Sequence, residues 1–103
     1  MLKHIVFFKF KPEVGDADIS DLEQNLAALP ALIPEIKGYE FGRDIIHSER
    51  SFDFALVSAF DDLEALKRYQ MHPAHLKALN KLLKMCDKIH AVDFEWQAPR
   101  DAS

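Results

Sequence analysis

The chain reads as an α+β domain whose elements follow the order β-α-β-β-α-β. Three observations predict it. Four segments, Leu2–Lys11, Gly38–Ile46, Phe52–Phe60 and Ile89–Trp96, have the composition of strands. Two others repeat apolar residues every three to four positions behind capping-type starts, as amphipathic helices do. A chain of 103 residues has room for one domain, so all of these elements share one core.

In the first strand Leu2, Val6, Phe8 and Phe10 share a face with His4, its only polar member. The opposite face carries Ile5 and Phe7 among Lys3, Lys9 and Lys11, so the middle of this strand needs cover on both sides. The first helix starts at Ser20-Asp21-Leu22-Glu23, which has capping-box spacing, or equally at Asp16 or Asp18. Its apolar stripe is Ile19, Leu22, Leu26, Leu29 and Ile33; Pro34 ends it, and Pro30 is expected to kink or shorten its last turn. Tyr39 and Phe41 share one side of the second strand, and residues 47–51 make a polar connection of hairpin length. In the third strand Phe52, Phe54, Leu56 and Phe60 point one way, and Ala55, Val57 and Ala59 the other.

Asp61-Asp62-Leu63-Glu64 opens a short helix that runs to about Tyr69. Pro73 disfavours the helical conformation at His72 and suits the first position of a new helix, so the element breaks there and restarts. The restarted helix runs to about Asp87, with Leu76, Leu79, Leu83 and Cys86 expected to face inward. The last strand closes a domain over 1–97 and leaves a polar tail at 98–103. This order is the ferredoxin-like split arrangement, with an antiparallel sheet under helices on one face. The other face is expected to expose Ile5, Phe7, Ala55, Val57, Ile89 and Ala91, an apolar patch larger than monomers leave wet. The same face of a second copy covers it economically, which predicts a homodimer.

Composition narrows the function. The chain is 49% hydrophobic with eight Phe, which fill a dry core or an apolar cavity without needing hydrogen-bond partners. A net charge of -4 and the lack of a basic stripe argue against nucleic acid. The opening segment is too short and too Lys-interrupted for a signal peptide or membrane span. Cys86, the lone cysteine, allows no intramolecular disulfide and fits a reducing compartment, so a cytoplasmic location is expected. The three glycines are scattered, leaving no phosphate loop, and no cofactor is predicted. His72 and His75 have a metal-pair spacing, but the helix break separates them, so no metal is predicted.

The runs KHIVFFKFKP, ALPALIPEIKGYEFGRD, FDFALVSAFDDLEALKRYQMHPAHLK and VDFEW resemble the stress-responsive dimeric α/β-barrel family over about residues 2–96. The most specific part runs from Asp53 to His75, with its Tyr-x-x-His-Pro-x-His motif. The resemblance implies a homodimer whose two sheets face each other with helices outside. It does not imply one activity, because a fold hosts many. Some plant members are polyketide cyclases that perform a cofactor-free intramolecular aldol condensation. In those, the tyrosine and second histidine of the motif are orienting group and general base, positions held here by Tyr69 and His75. His4 matches a pocket histidine of the same members. Many relatives carry Asp-His-Ala on the third strand where this chain has Asp53-Phe54-Ala55, so one pocket histidine is replaced by Phe54.

The residues support two readings of this motif. If Pro73 is the first helical residue, His75 is third, where the positive end of the helix dipole keeps an imidazole neutral and able to accept a proton. The bland alternative is a Tyr69–His75 hydrogen bond that pins the helix break. His4 is likewise either a pocket residue or a core histidine bonded to a carbonyl. The expected pocket lies between sheet and helices, lined by His4, Val6, Phe8, Phe54 and Leu56, with His72 beside His75 and Tyr69. It would hold a small hydrophobic carbonyl or aromatic compound, with cofactor-free proton transfer (aldol cyclisation or isomerisation) as its chemistry. The competing expectations are a non-catalytic stress or interaction protein and a cofactor-free monooxygenase of a related dimeric-barrel family.

Overall fold

The computed structural model describes residues 1–97, and the polar tail expected at 98–103 lies outside the described residues. The elements are β1 (Leu2–Phe10), α1 (Asp16–Leu32), β2 (Gly38–Arg43), β3 (Phe54–Phe60), α2 (Leu63–Met71), α3 (Pro73–Met85) and β4 (Cys86–Glu95). One four-stranded sheet in the order β2-β3-β1-β4 has every neighbouring pair antiparallel, which is the ferredoxin-like arrangement. No helix among the described residues is long and apolar enough to cross a membrane.

Local chemistry sets the helix ends. α1 starts before Ser20: the Gly15 amide donates to the Asp18 carboxylate at 3.0 Å, and Asp16 and Asp18 sit where the helix dipole favours negative charge. The helix carries Pro30 in its last turn without ending there, because a proline so close to the terminus removes only one ladder bond. The stripe Leu22, Leu26, Leu29 and Ile33 is buried against the sheet. Asp62 caps α2 by accepting from the Ala65 amide at 2.9 Å. The break falls at His72, which ends α2 and caps α3; its extended backbone (φ -65, ψ 135) lets Nδ1 accept from the Ala74 amide at 3.0 Å.

α3 faces the sheet with a different stripe from the one expected. Leu82 is buried, and His75, Ala78 and Leu79 lie on the same side, whereas Leu76 and Leu83 are exposed. Leu76, Leu79, Leu82 and Leu83 wrap around so much of this helix that two stripes have equal helical spacing, and packing chooses between them.

β4 also departs from expectation. It follows α3 with no loop and begins at Cys86, three residues early. Phe10 pairs with Cys86 but Lys9 pairs with Lys88, so Asp87 is an extra residue, a β-bulge. The bulge shifts the phase of the strand by one. Ile89, Ala91 and Asp93 stand opposite Phe8, Val6 and His4 on the helix side. Ile89 and Ala91 therefore do not belong to the open face; His90, Val92 and Phe94 take those places beside Phe7, Ile5 and Lys3. The open face still carries Ile5, Val57 and Ala55, with Phe7 36%, Phe94 40% and Val92 54% exposed. Phe52 extends it, its ring 5.8 Å from Phe7 and 5.1 Å from His90.

β2 and β3 are shorter than read, and residues 44–53 form a built turn. Asp44 accepts from the His47 amide at 2.6 Å, and His47 takes a left-handed φ of 57. Arg43 ties the end of β2 to α1 through Asp16 and Glu23.

Candidate functional site

A cavity of about 220 Å³ lies between the sheet and the helices. Its floor is the helix-side face of β1 and β3: His4, Val6, Phe8 and Leu56. α1 closes one wall with Leu26 and Leu29, and α3 supplies His75, Ala78, Leu79 and Leu82. Tyr69 reaches in from α2, Tyr39 from β2, and Ile89 and Ala91 from β4. α3 packs against α1 and α2, and Ala91 and Asp93 on β4 stay open to solvent, so the mouth lies along β4.

Of the residues expected in the pocket, His4, Val6, Phe8, Leu56, Tyr69 and His75 line this cavity. Phe54 and His72 do not. Phe54 is 1% exposed and packs within the core, its ring 6.0 Å from Phe41 in a stacked arrangement and 5.8 and 6.0 Å from Phe8 and Phe10. An outward slide into the cavity would break three aromatic contacts. His72 spends its Nδ1 lone pair capping α3.

The side chains of His4, His75, Tyr39 and Tyr69 bring polar groups into a largely apolar chamber, and each is held by a partner. His4 Nδ1 faces the Asp93 carboxylate, an acceptor, so Nδ1 carries the proton and Nε2 is left as the free nitrogen. His75 Nδ1 lies 3.1 Å from the Gln70 carbonyl, which can only accept, so this ring has the same tautomer. Burial lowers the pKa of His75, helped by the nearby His4 and His72 and opposed by the Gln70 hydrogen bond. The neutral form of His75 is therefore favoured, as its place in the first turn of α3 also requires. The Tyr69 hydroxyl bonds the Tyr39 hydroxyl at 2.9 Å rather than either histidine. Burial raises both phenol pKa values, so both are protonated at neutral pH. The Tyr69 ring packs 4.4 Å from His75 and edge-on to His4 at 6.4 Å, between the two imidazoles.

Sequence reasoning missed Asp93, Tyr39 and Gln70. Asp93 was visible inside VDFEW, but only the bulge places it opposite His4. Gln70 acts through its backbone, which carries no sequence signal. Among the described residues no group of three or more His, Cys, Asp and Glu side chains is arranged to hold a metal. Cys86 sits outside the cavity, its pKa pushed up to about 11 by burial and by Asp53 and Asp87, so its thiol stays protonated and unreactive.

The profile of the stress responsive A/B barrel domain matches residues 2–96. A stress-response A/B barrel domain-containing protein of Arabidopsis thaliana is 28% identical over 91% of this chain and 88% of its own. Olivetolic acid cyclase of Cannabis sativa is 27% identical over 73% of this chain and 76% of its own. A dimeric ferredoxin-like protein of unknown function from Thermobifida fusca superposes with a TM-score of 0.85 at 34% identity, covering 92% of this chain and 90% of that one. The split βαβ topology, the helix break before His75 and these similarities agree: the chain belongs to the stress-responsive A/B barrel domain family.

Proposed function

We propose that the protein is a homodimer whose subunits each bind a compact, neutral, largely apolar carbonyl or aromatic compound, and that the cavity carries out cofactor-free proton transfer on it. The observation that carries this reading is the convergence of two imidazoles and a phenol pair on one apolar chamber. Neither Lys nor Arg lines the chamber, so nothing in it would balance a phosphate or a carboxylate. The Tyr69 hydroxyl holds the carbonyl oxygen of the ligand. His75 Nε2 takes a proton from the carbon beside that carbonyl, and the enolate either attacks a second carbonyl of the same molecule or is reprotonated elsewhere. His4, backed by Asp93, is the second proton station. The reaction of olivetolic acid cyclase, a relative, supports carbonyl chemistry of this kind. Pairing through the open sheet face is supported by its exposed Phe7, Val92 and Phe94 and by the dimeric state of the Thermobifida fusca relative.

A non-catalytic reading has one observation in its favour: Tyr69, His75 and His4 each have an internal partner, as structural groups do. The two are separated by a thermal-shift screen of neutral carbonyl compounds, followed by His75→Ala and Tyr69→Phe. Loss of ligand turnover in both variants, with His75→Ala costing about 1 kcal/mol of stability, supports catalysis. A cost nearer 2–3 kcal/mol with ligand handling unchanged ends it. An oxygen requirement for turnover would instead indicate monooxygenase chemistry.

A further inference from the structure

We infer that Tyr39 is a positioning residue: by donating its hydroxyl proton to Tyr69 it turns the Tyr69 proton into the cavity, making the chamber selective for a ligand oxygen that accepts a hydrogen bond. This rests on the reading of the cavity as a ligand site and adds to it a residue that the helix-break motif does not contain.

The argument begins with a count of protons. Two phenols 2.9 Å apart carry two O–H protons, and their mutual hydrogen bond uses one. Among the described residues neither hydroxyl has another hydrogen-bond partner, so one proton is left facing the chamber that both residues line. The remaining question is which one. Tyr39 comes from the sheet and Tyr69 from the end of α2, so the bond spans the two layers of the fold. Tyr69 is 1% exposed and is wedged between His4, His75 and the Phe60 ring at 4.8 Å, so its hydroxyl stands among the other polar groups. Tyr39 packs edge-on against Phe41 and Tyr69, and among the described residues no ring contact joins it to either imidazole. Burial raises both groups, so each keeps its proton at neutral pH and the bond is a donation from one neutral phenol to the other. The spare proton is then that of Tyr69. His75 presents an acceptor nitrogen, so the phenol is the donor beside it, and receiving a bond from Tyr39 polarises it.

The chain has two tyrosines, so each single Phe variant leaves one reporter. Tyrosine absorbance is followed through alkaline titration, with circular dichroism confirming the fold at each pH. In Tyr39→Phe the remaining Tyr69 is expected to ionise at higher pH than the first step of the wild type, having lost a donor to its oxygen. Ionisation at or below that first step would overturn the inference, and needs no ligand. The second arm uses acetophenone against isopropylbenzene, close in shape but differing in the acceptor oxygen. Tyr69→Phe should reduce the preference for acetophenone about tenfold and Tyr39→Phe about threefold. The carbonyl stretch of bound acetophenone should move towards its free value in both. Adding Tyr39→Phe to Tyr69→Phe should change nothing further. A further loss in the double variant would show that Tyr39 contacts the ligand itself and would overturn the positioning role. Failure of both probes to bind the wild type would refute the ligand-site reading and the selectivity with it, while the titration still decides whether Tyr39 and Tyr69 are bonded at all.

Discussion

Replacing Phe54 with Ala tests whether that residue belongs to the core or to the cavity wall. Its ring is 1% exposed and touches Phe8, Phe10 and Phe41, the last nearly face to face at 17°. Burial of a phenylalanine removes roughly 150–250 Å² from water, which at about 25 cal/mol/Å² gives an upper figure near 4–6 kcal/mol. Ala keeps the Cβ, and neighbouring rings relax partly, so the expected loss is about 3–5 kcal/mol. That is a large share of the roughly 5–15 kcal/mol available to a domain of this size. Urea denaturation followed by circular dichroism should show a lower midpoint with an unchanged slope. Acetophenone affinity should stay within about twofold of the wild type in the folded fraction, because Phe54 does not line the chamber. A loss below about 1.5 kcal/mol, or a tighter-binding variant, would mean that the ring already borders open space, and the assignment to the core would be wrong.

Three further outcomes are expected. Ile5→Asp puts a carboxylate in the middle of the open face, between Val57 and Val92; an unpaired buried charge costs about 3–5 kcal/mol and a two-fold dimer carries it twice, so sedimentation should show monomer, and a native dimer would refute this interface. Burial lowers the His75 pKa, so the unfolded chain binds its proton first: the stability contribution of His75 is complete above the unfolded value of 6.5 and is lost as pH falls through the lower folded value. Urea melts should therefore give wild type a steeper loss than His75→Ala below pH 6.5, and parallel curves would contradict a buried neutral ring. His72→Ala removes the cap of α3 and should cost about 1 kcal/mol, while His72→Asn, which also caps, should cost far less; equal losses would show that capping is not its role.

Much of this fold was legible because its signals are local. The alternation of Leu2, His4, Val6, Phe8 and Phe10 is the observed buried face of β1, and Pro73 restarts the helix after His72 as its ring chemistry demands. Tyr69 and His75 were visible for the same reason, since one motif at a helix break carries both. What failed depended on contacts between distant segments. Leucines on most sides of α3 left the buried stripe to packing, and Leu82 rather than Leu83 took the inner place. Phe54 alternates correctly with Leu56, but only the position of Phe41 on the neighbouring strand decides that its ring stacks in the core. Tyr39 meets Tyr69 across thirty positions of sequence, beyond any periodicity.

The bulge at Asp87 is where this fold can absorb a change of chain length beside its chamber. α3 passes into β4 with no intervening loop, so the extra residue of the bulge is the slack at this junction. Deleting Asp87 would leave Cys86 opposite Phe10 and Lys88 opposite Lys9, a regular ladder in which the rest of β4 keeps its register, since side chains alternate with a strict period of two. Ile89 and Ala91 would still line the chamber, and His4 would keep the Asp93 carboxylate opposite it. The ten-residue turn at 44–53 is a second place where length can vary, since none of its residues lines the cavity.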